Sequence, residues 1–270
     1  MKTTNRKSIA MAMVILGLTV VLASVSANAT PDPIGVVIYE RVFNDCPTST
    51  LTTENMYPAL VAIDDQHLDC GGFANLHAWR FSTDLIDGAP FDNNSAYSMC
   101  AILTITGEGD GEAGLSVSPW WSQLVDGRFN VRTTDGEIAC FGGRLPFYSF
   151  TATYGVNYMK GDAIRLSLLY HPHGLSMADP ATITYELVYD NFSYSSGPLA
   201  FDEGNPNEDP PYGLWGMLND GRVGGYMQAF LQAGNYDAGL RAEWSAICFQ
   251  NLDAVGTEPA TWGNVKAMYK

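Results

Sequence analysis

The chain has 270 residues, 29 of them acidic and 14 basic, for a formal net charge of −15. This balance excludes nucleic acid as a natural partner, because phosphates would be repelled, and it disfavours anionic membrane surfaces. Cations and neutral ligands stay open, and acidity of this degree also serves solubility.

Lys2, Arg6 and Lys7 give a basic start, an apolar run covers residues 9–23, and Ala27, Asn28 and Ala29 form a small-residue cleavage signal. The pattern is that of a secretory signal whose apolar core is too short to span a membrane. It predicts a protein exported to the cell surface or beyond, cleaved after residue 29. No Cys stands at the cleavage site, so lipid attachment there is not expected. What remains has the size of one large β domain, residues 30–256, followed by a tail, residues 257–270.

Five cysteines follow: Cys46, Cys70, Cys100, Cys140 and Cys248. In an oxidising compartment disulfides are the default. Five thiols allow at most two bridges, and the sequence alone does not choose among the pairings. Proximity favours Cys46–Cys70 and Cys100–Cys140, leaving Cys248, in the apolar run 244–249, as a buried thiol. No Cys-x-x-Cys spacing points to zinc or redox chemistry.

Along the chain, strand signals recur. Residues 98–106 and 145–154 are rich in β-branched or aromatic residues, and Leu115 with Val117, then Phe129 with Val131, alternate briefly. Longer alternations place Ile164, Leu166 and Leu168 on one face, then Ile183, Tyr185, Leu187 and Tyr189, then Leu240, Ala242, Trp244 and Ala246. Trp79 and Trp244 belong to alternating segments and are expected in the core. Asp135-Gly136, Asp190-Asn191 and Asn219-Asp220-Gly221 supply hairpin turns, since Gly, Asn and Asp tolerate positive φ. About ten to twelve antiparallel strands result. The fold class is all-β, a two-sheet antiparallel sandwich of the jelly-roll type. A short C-terminal helix is expected in the tail, where Trp262, Val265 and Met268 recur every three residues after a capping Thr261. That tail is either a docking or sorting element or a helix packed on its own domain.

The strand-turn series 126–154, the strand 164–170, the hairpin 183–194 and the final strand 240–249 together resemble the concanavalin A-like, or laminin-G-like, jelly roll. The resemblance is architectural and spans most of residues 34–250. It implies a repertoire of lectins, carbohydrate-binding modules, glycoside hydrolases and adhesion domains, among which fold does not choose. The Glu-x-Asp-x-x-Glu strand of the family's glucanases is absent. Glu137, Glu186 and Glu243 occupy polar strand positions, but a glycosidase needs two carboxylates roughly 5–9.5 Å apart. No Gly-x-Ser-x-Gly is present, and the histidines lack the context of a triad.

Aromatic residues near turns are the better candidates. Trp120, Trp121, Tyr212, Trp215 and Tyr226 could stack on sugar rings, whose C–H faces are apolar while their hydroxyls need polar partners. The competing role is core filling. The loop 201–209 brings Asp202, Glu203, Asn205, Glu208 and Asp209, oxygen donors of the kind calcium takes six to eight of; a solvated acidic loop is the alternative. The Gly-acid run 107–112 reads as a strand connection rather than a calcium repeat. His171 and His173 flank Pro172 and could face one side, but a metal needs a third ligand.

Three functions are therefore in play. The first is a non-catalytic, lectin-like module binding an extracellular glycan or cell-surface component, with calcium as its one candidate cofactor. The second is a surface or matrix structural protein that self-assembles through strand edges or the tail. The third is a glycoside hydrolase or polysaccharide lyase. A row of exposed aromatics favours the first, a groove-free sandwich the second, and facing carboxylates the third.

Overall fold

The computed structural model describes residues 32–122, 125–204, 213–218 and 221–253, with the side chains of 118–126 outside that description. The signal segment and the tail 257–270, with its expected helix, also lie outside the described residues. Strands run in chain order as β1 (Gly35–Asn44), β2 (Thr50–Met56), β3 (Leu60–Gln66), β4 (Ala74–Ser82), β5 (Pro90–Phe91) and β6 (Tyr97–Thr106). Then come β7 (Gly111–Ser122), β8 (Val125–Arg132), β9 (Ile138–Phe141) and β10 (Tyr148–Ser149). After a short helix α1 (Phe150–Tyr154) follow β11 (Ala163–His171), β12 (Thr182–Tyr189), β13 (Phe192–Ala200), β14 (Gly221–Arg222), β15 (Gly224–Phe230) and β16 (Gly239–Asn251).

Two seven-stranded antiparallel sheets result, with orders β1-β4-β15-β7-β8-β9-β10 and β13-β12-β11-β6-β16-β3-β2. Strands distant in sequence are neighbours, as in a jelly roll. The alternation seen in the sequence sets the faces. Ile164, Leu166, Leu168 and Tyr170 of β11 and Ile183, Tyr185, Leu187 and Tyr189 of β12 all point into the core, with Leu166 opposite Leu187. Trp79 of one sheet meets Trp244 of the other edge-on at 6.0 Å, and the Trp244 indole N–H donates to the Gly114 carbonyl at 3.0 Å. Each buried Leu or Ile in this layer contributes about 1.5–3 kcal/mol by leaving water. Asp190 and Asn191 both adopt positive φ in the β12–β13 hairpin, and Gly136 does so between β8 and β9.

The aromatic run 145–154, expected as strand, instead becomes the two-residue β10 and α1. Ser149 Oγ accepts from the Ala152 N–H, and Gly155 closes the turn in the left-handed region, so both ends are capped.

The last strand departs from strict alternation. Ala246 has φ of 47° and the β16–β6 register shifts between Ser245 and Cys248. This bulge reverses the face of everything beyond it, so Ala246 is exposed and Ile247 buried. Cys248 is thereby turned outward, opposite Cys100 of β6, and the two form a disulfide. The expected Cys100–Cys140 bridge is therefore incorrect. Cys140 lies on β9 in the other sheet, points into the core, and is the buried free thiol. Cys46–Cys70 forms as proximity suggested.

Beside that bridge, a polar cluster is sealed between the sheets. His77 Nδ1 accepts from the Arg41 amide at 3.0 Å, which leaves the Nε2 hydrogen to donate to Asp65 Oδ2 at 3.0 Å. Asn75 Nδ2 donates to the same oxygen at 2.7 Å, and its Oδ1 accepts from the Cys46 amide at 2.9 Å. Burial alone would raise the Asp65 pKa, but hydrogen bonds from His77, Ser49 and Asn75 outweigh it and hold the carboxyl below its usual range.

Candidate ligand-binding groove

Where Trp79, Met227, Leu115, Phe129 and Val131 face the core, their neighbours in each strand face away from it. On the outer face of the first sheet these neighbours align in three rows. Strand register sets Arg80, Gly224, Ser116 and Arg128 side by side, then Ala78, Tyr226, Gly114 and Asn130, then Leu76, Gln228, Glu112 and Arg132. The middle row is lined by small residues around Tyr226 and Asn130. A side chain at Gly224 would strike the Trp79 carbonyl oxygen, and one at Gly114 the Phe129 carbonyl oxygen. The close approach of these strands therefore depends on glycine.

The polar groups of this face hold one another. Arg128 Nη1 pairs with Glu112, its Nη2 donates to Gln228 Oε1 at 2.9 Å, and its guanidinium lies 4.6 Å from the Tyr226 ring centroid. The Tyr226 hydroxyl donates to Asn130 Oδ1. Burial is the main influence on Glu112 and raises its pKa, against the lowering pull of Arg128, Arg132 and Asn130. Arg132 grips Asp135 through two bonds, at 2.8 and 2.6 Å, and meets Glu137 at 2.7 Å. Two buried polar atoms here, Ser116 Oγ and Asn130 Nδ2, have no hydrogen-bond partner. Both residues are fully buried, and neither lines the cavity at the Gln228 end.

At the Gln228 end the rows open into a cavity of about 590 Å³. Phe73, Phe141 and Phe230 form its apolar side, and Glu112, Arg128 and Gln228 its polar side; Arg132, Thr134 and Asp135 complete it. The Phe73 and Phe230 rings lie 5.7 Å apart, and Phe73 is 63% exposed. Exposed aromatic faces beside planar hydrogen-bonding groups can hold a pyranose ring by its C–H face and its hydroxyls together.

The residues singled out in the sequence fall differently. Tyr226 lies on this face, but only 2% exposed, with its hydroxyl committed to Asn130 and Arg128 beside its ring. As an exposed stacking platform that expectation is corrected; the residue is buried beneath the face and does not line the cavity. Trp215 is half-buried, and its carbonyl accepts from the Ala181 amide just before β12, away from the groove strands. The side chains of Trp120 and Trp121, and all of Tyr212, lie outside the described residues, as do Asn205, Glu208 and Asp209. Glu203 is half-buried. The Asp202 carboxylate accepts from Arg144 Nη1 at 3.2 Å and from the Gly204 amide at 2.8 Å.

Other candidates separate likewise. Glu137 is on the groove side, whereas Glu186 and Glu243 are on the outer face of the other sheet, three strands apart. At about 4.8 Å per strand that is roughly 14 Å or more across the sheet, before the further offset along the strands, too far for a glycosidase pair. His173 Nε2 bonds Thr182 Oγ1 at 3.1 Å, and the His171 ring is 6.0 Å away. Among the described residues, three metal-binding atoms converge at Cys46, Asp69 and Cys70, but the two sulfurs are bonded to each other. In the run 107–112, Asp110 is held by Lys160 and Thr133, and Glu112 becomes part of the groove. Sequence reasoning missed Phe73, Glu112, Arg128 and Gln228. The alternation of Arg128, Asn130 and Arg132 with Phe129 and Val131 was the available signal, and it reads equally as an ordinary solvated face.

No protein-family model matches the chain, and no curated protein matches it in sequence. Among solved structures it is similar to alginate lyase A1-II', a member of polysaccharide lyase family 7, at 8% identity over 74% of this chain and 82% of that one, with a TM-score of 0.40. It is also similar to arcelin-5, a lectin-like defense protein from Phaseolus vulgaris, at 11% identity over 82% and 92%, with a TM-score of 0.38. A third likeness, to a sialidase, covers 81% of this chain but 17% of that protein, at 11% identity and a TM-score of 0.42. At such scores these likenesses carry no argument, and the jelly-roll architecture rests on the two sheets themselves.

Proposed function

We propose that this protein is an exported carbohydrate-binding module whose ligand binds in the cavity at the Gln228 end of the outer face of β15, β7 and β8. The supporting observation is the cavity in which Phe73, Phe141 and Phe230 face the Glu112–Arg128–Gln228 array. The groove is also what favours ligand binding over a purely structural role. Two disulfides are consistent with an oxidising compartment outside the cytoplasm. Aromatic side chains supply the apolar contact, and the fixed planar groups supply direction, with their own geometry already held by mutual hydrogen bonds. A glycan array followed by titration calorimetry tests this. Phe73→Ala and Gln228→Ala should each weaken binding about 5- to 30-fold, corresponding to about 1–2 kcal/mol. A folded protein that binds no glycan, or variants that bind as the parent does, would overturn the reading.

A further inference from the structure

We infer that the groove selects an uncharged polysaccharide and rejects polyuronates and sulfated chains; this rests on the glycan reading above. Arginine in a sugar site usually suggests a carboxylate or sulfate on the ligand. Here the two arginines lining the cavity are already matched. Arg128 carries Glu112, and Arg132 carries Asp135 and Glu137. Both Arg128 and Glu112 are largely buried, with side-chain exposures of 9% and 8%. A ligand carboxylate arriving there would either displace a protein carboxylate or add a charge with no counterpart at low dielectric, and both are costly. The whole molecule, at −15, repels a polyanion before it arrives.

What the paired array does offer is neutral recognition. With Oε1 given to Arg128, the Gln228 amide group keeps its N–H donors and Glu112 keeps acceptor capacity. Vicinal hydroxyls, each donor and acceptor, fit such a mixed set without bringing charge. The three phenylalanines add contact that is indifferent to salt.

The test is affinity electrophoresis or calorimetry of the purified protein on neutral chains (a β-glucan, a xylan, a mannan) against a polyuronate and a sulfated polysaccharide of similar length. Measurements are made at low salt and at about 0.5 M NaCl. Retention by a neutral chain is expected to change less than about twofold between the two salts, since no exposed charge pair forms. The anionic chains should not be retained. The double variant Asp135→Asn/Glu137→Gln, which uncovers Arg132, should gain polyuronate retention at low salt. Preferential retention of an anionic chain by the parent, lost in high salt, overturns the selectivity and leaves the glycan reading standing. No retention of any chain by a folded sample overturns both.

Discussion

Replacing Cys100 and Cys248 together by serine removes a bridge between residues 148 apart in sequence. A cross-link of that span restricts the unfolded chain most, and the chain-entropy relation gives about 5 kcal/mol at 25 °C, against about 3.5 kcal/mol for a loop like that of Cys46–Cys70, whose separation is 24. Packing losses come mainly from Cys100, which is 5% exposed though on the outer face of its sheet, since Cys248 is exposed. Since a domain is typically stable by only about 5–15 kcal/mol, the double variant should be brought close to unfolding. Urea denaturation of parent and variant reads the difference, and non-reducing peptide mapping reads the pairing. Burial pushes the Cys140 thiol well above its ordinary range, so it should stay unreactive to a thiol reagent until the chain unfolds. A stability loss under about 1 kcal/mol, or a mapped bridge containing Cys140, would refute the argument from the β16 bulge.

Asp65 has a lower pKa folded than unfolded, where carboxyls titrate near about 3.9. It therefore stabilises the fold above that pH, and the contribution vanishes as pH falls through the depressed folded value. Acid titration of Asp65→Asn should show a shallower stability loss below about pH 4 than the parent, with lower stability at neutral pH; parallel curves would contradict this. Trp244→Ala should cost about 3–5 kcal/mol in thermal or urea unfolding, because it empties the centre of the sandwich and breaks the bond to Gly114. Gly224→Ala should cost about 1–3 kcal/mol, as its Cβ would overlap a backbone oxygen of β4 that cannot rotate away. An unchanged melting temperature would show that the strands part more readily than their register implies.

Much of the architecture is local in origin and was legible from residue order. A strand places successive side chains on opposite faces, so Ile164 to Tyr170 and Ile183 to Tyr189 announced both their conformation and their inward face. Asp190-Asn191 announced its hairpin because few other residues accept positive φ. What depended on distant parts of the chain was not legible. One extra residue at Ala246 reversed the face of Cys248 and so chose the second disulfide, and alternation alone gives no warning of a bulge. The groove is a stronger case. Gln228, Glu112 and Arg132 are spread over the chain, and only the sheet order β15-β7-β8 makes them one row. Alternating polar residues in a strand say that a face is not core; what that face can bind depends on which strands hydrogen-bond beside it, and that pairing is settled by the packing of the whole sandwich.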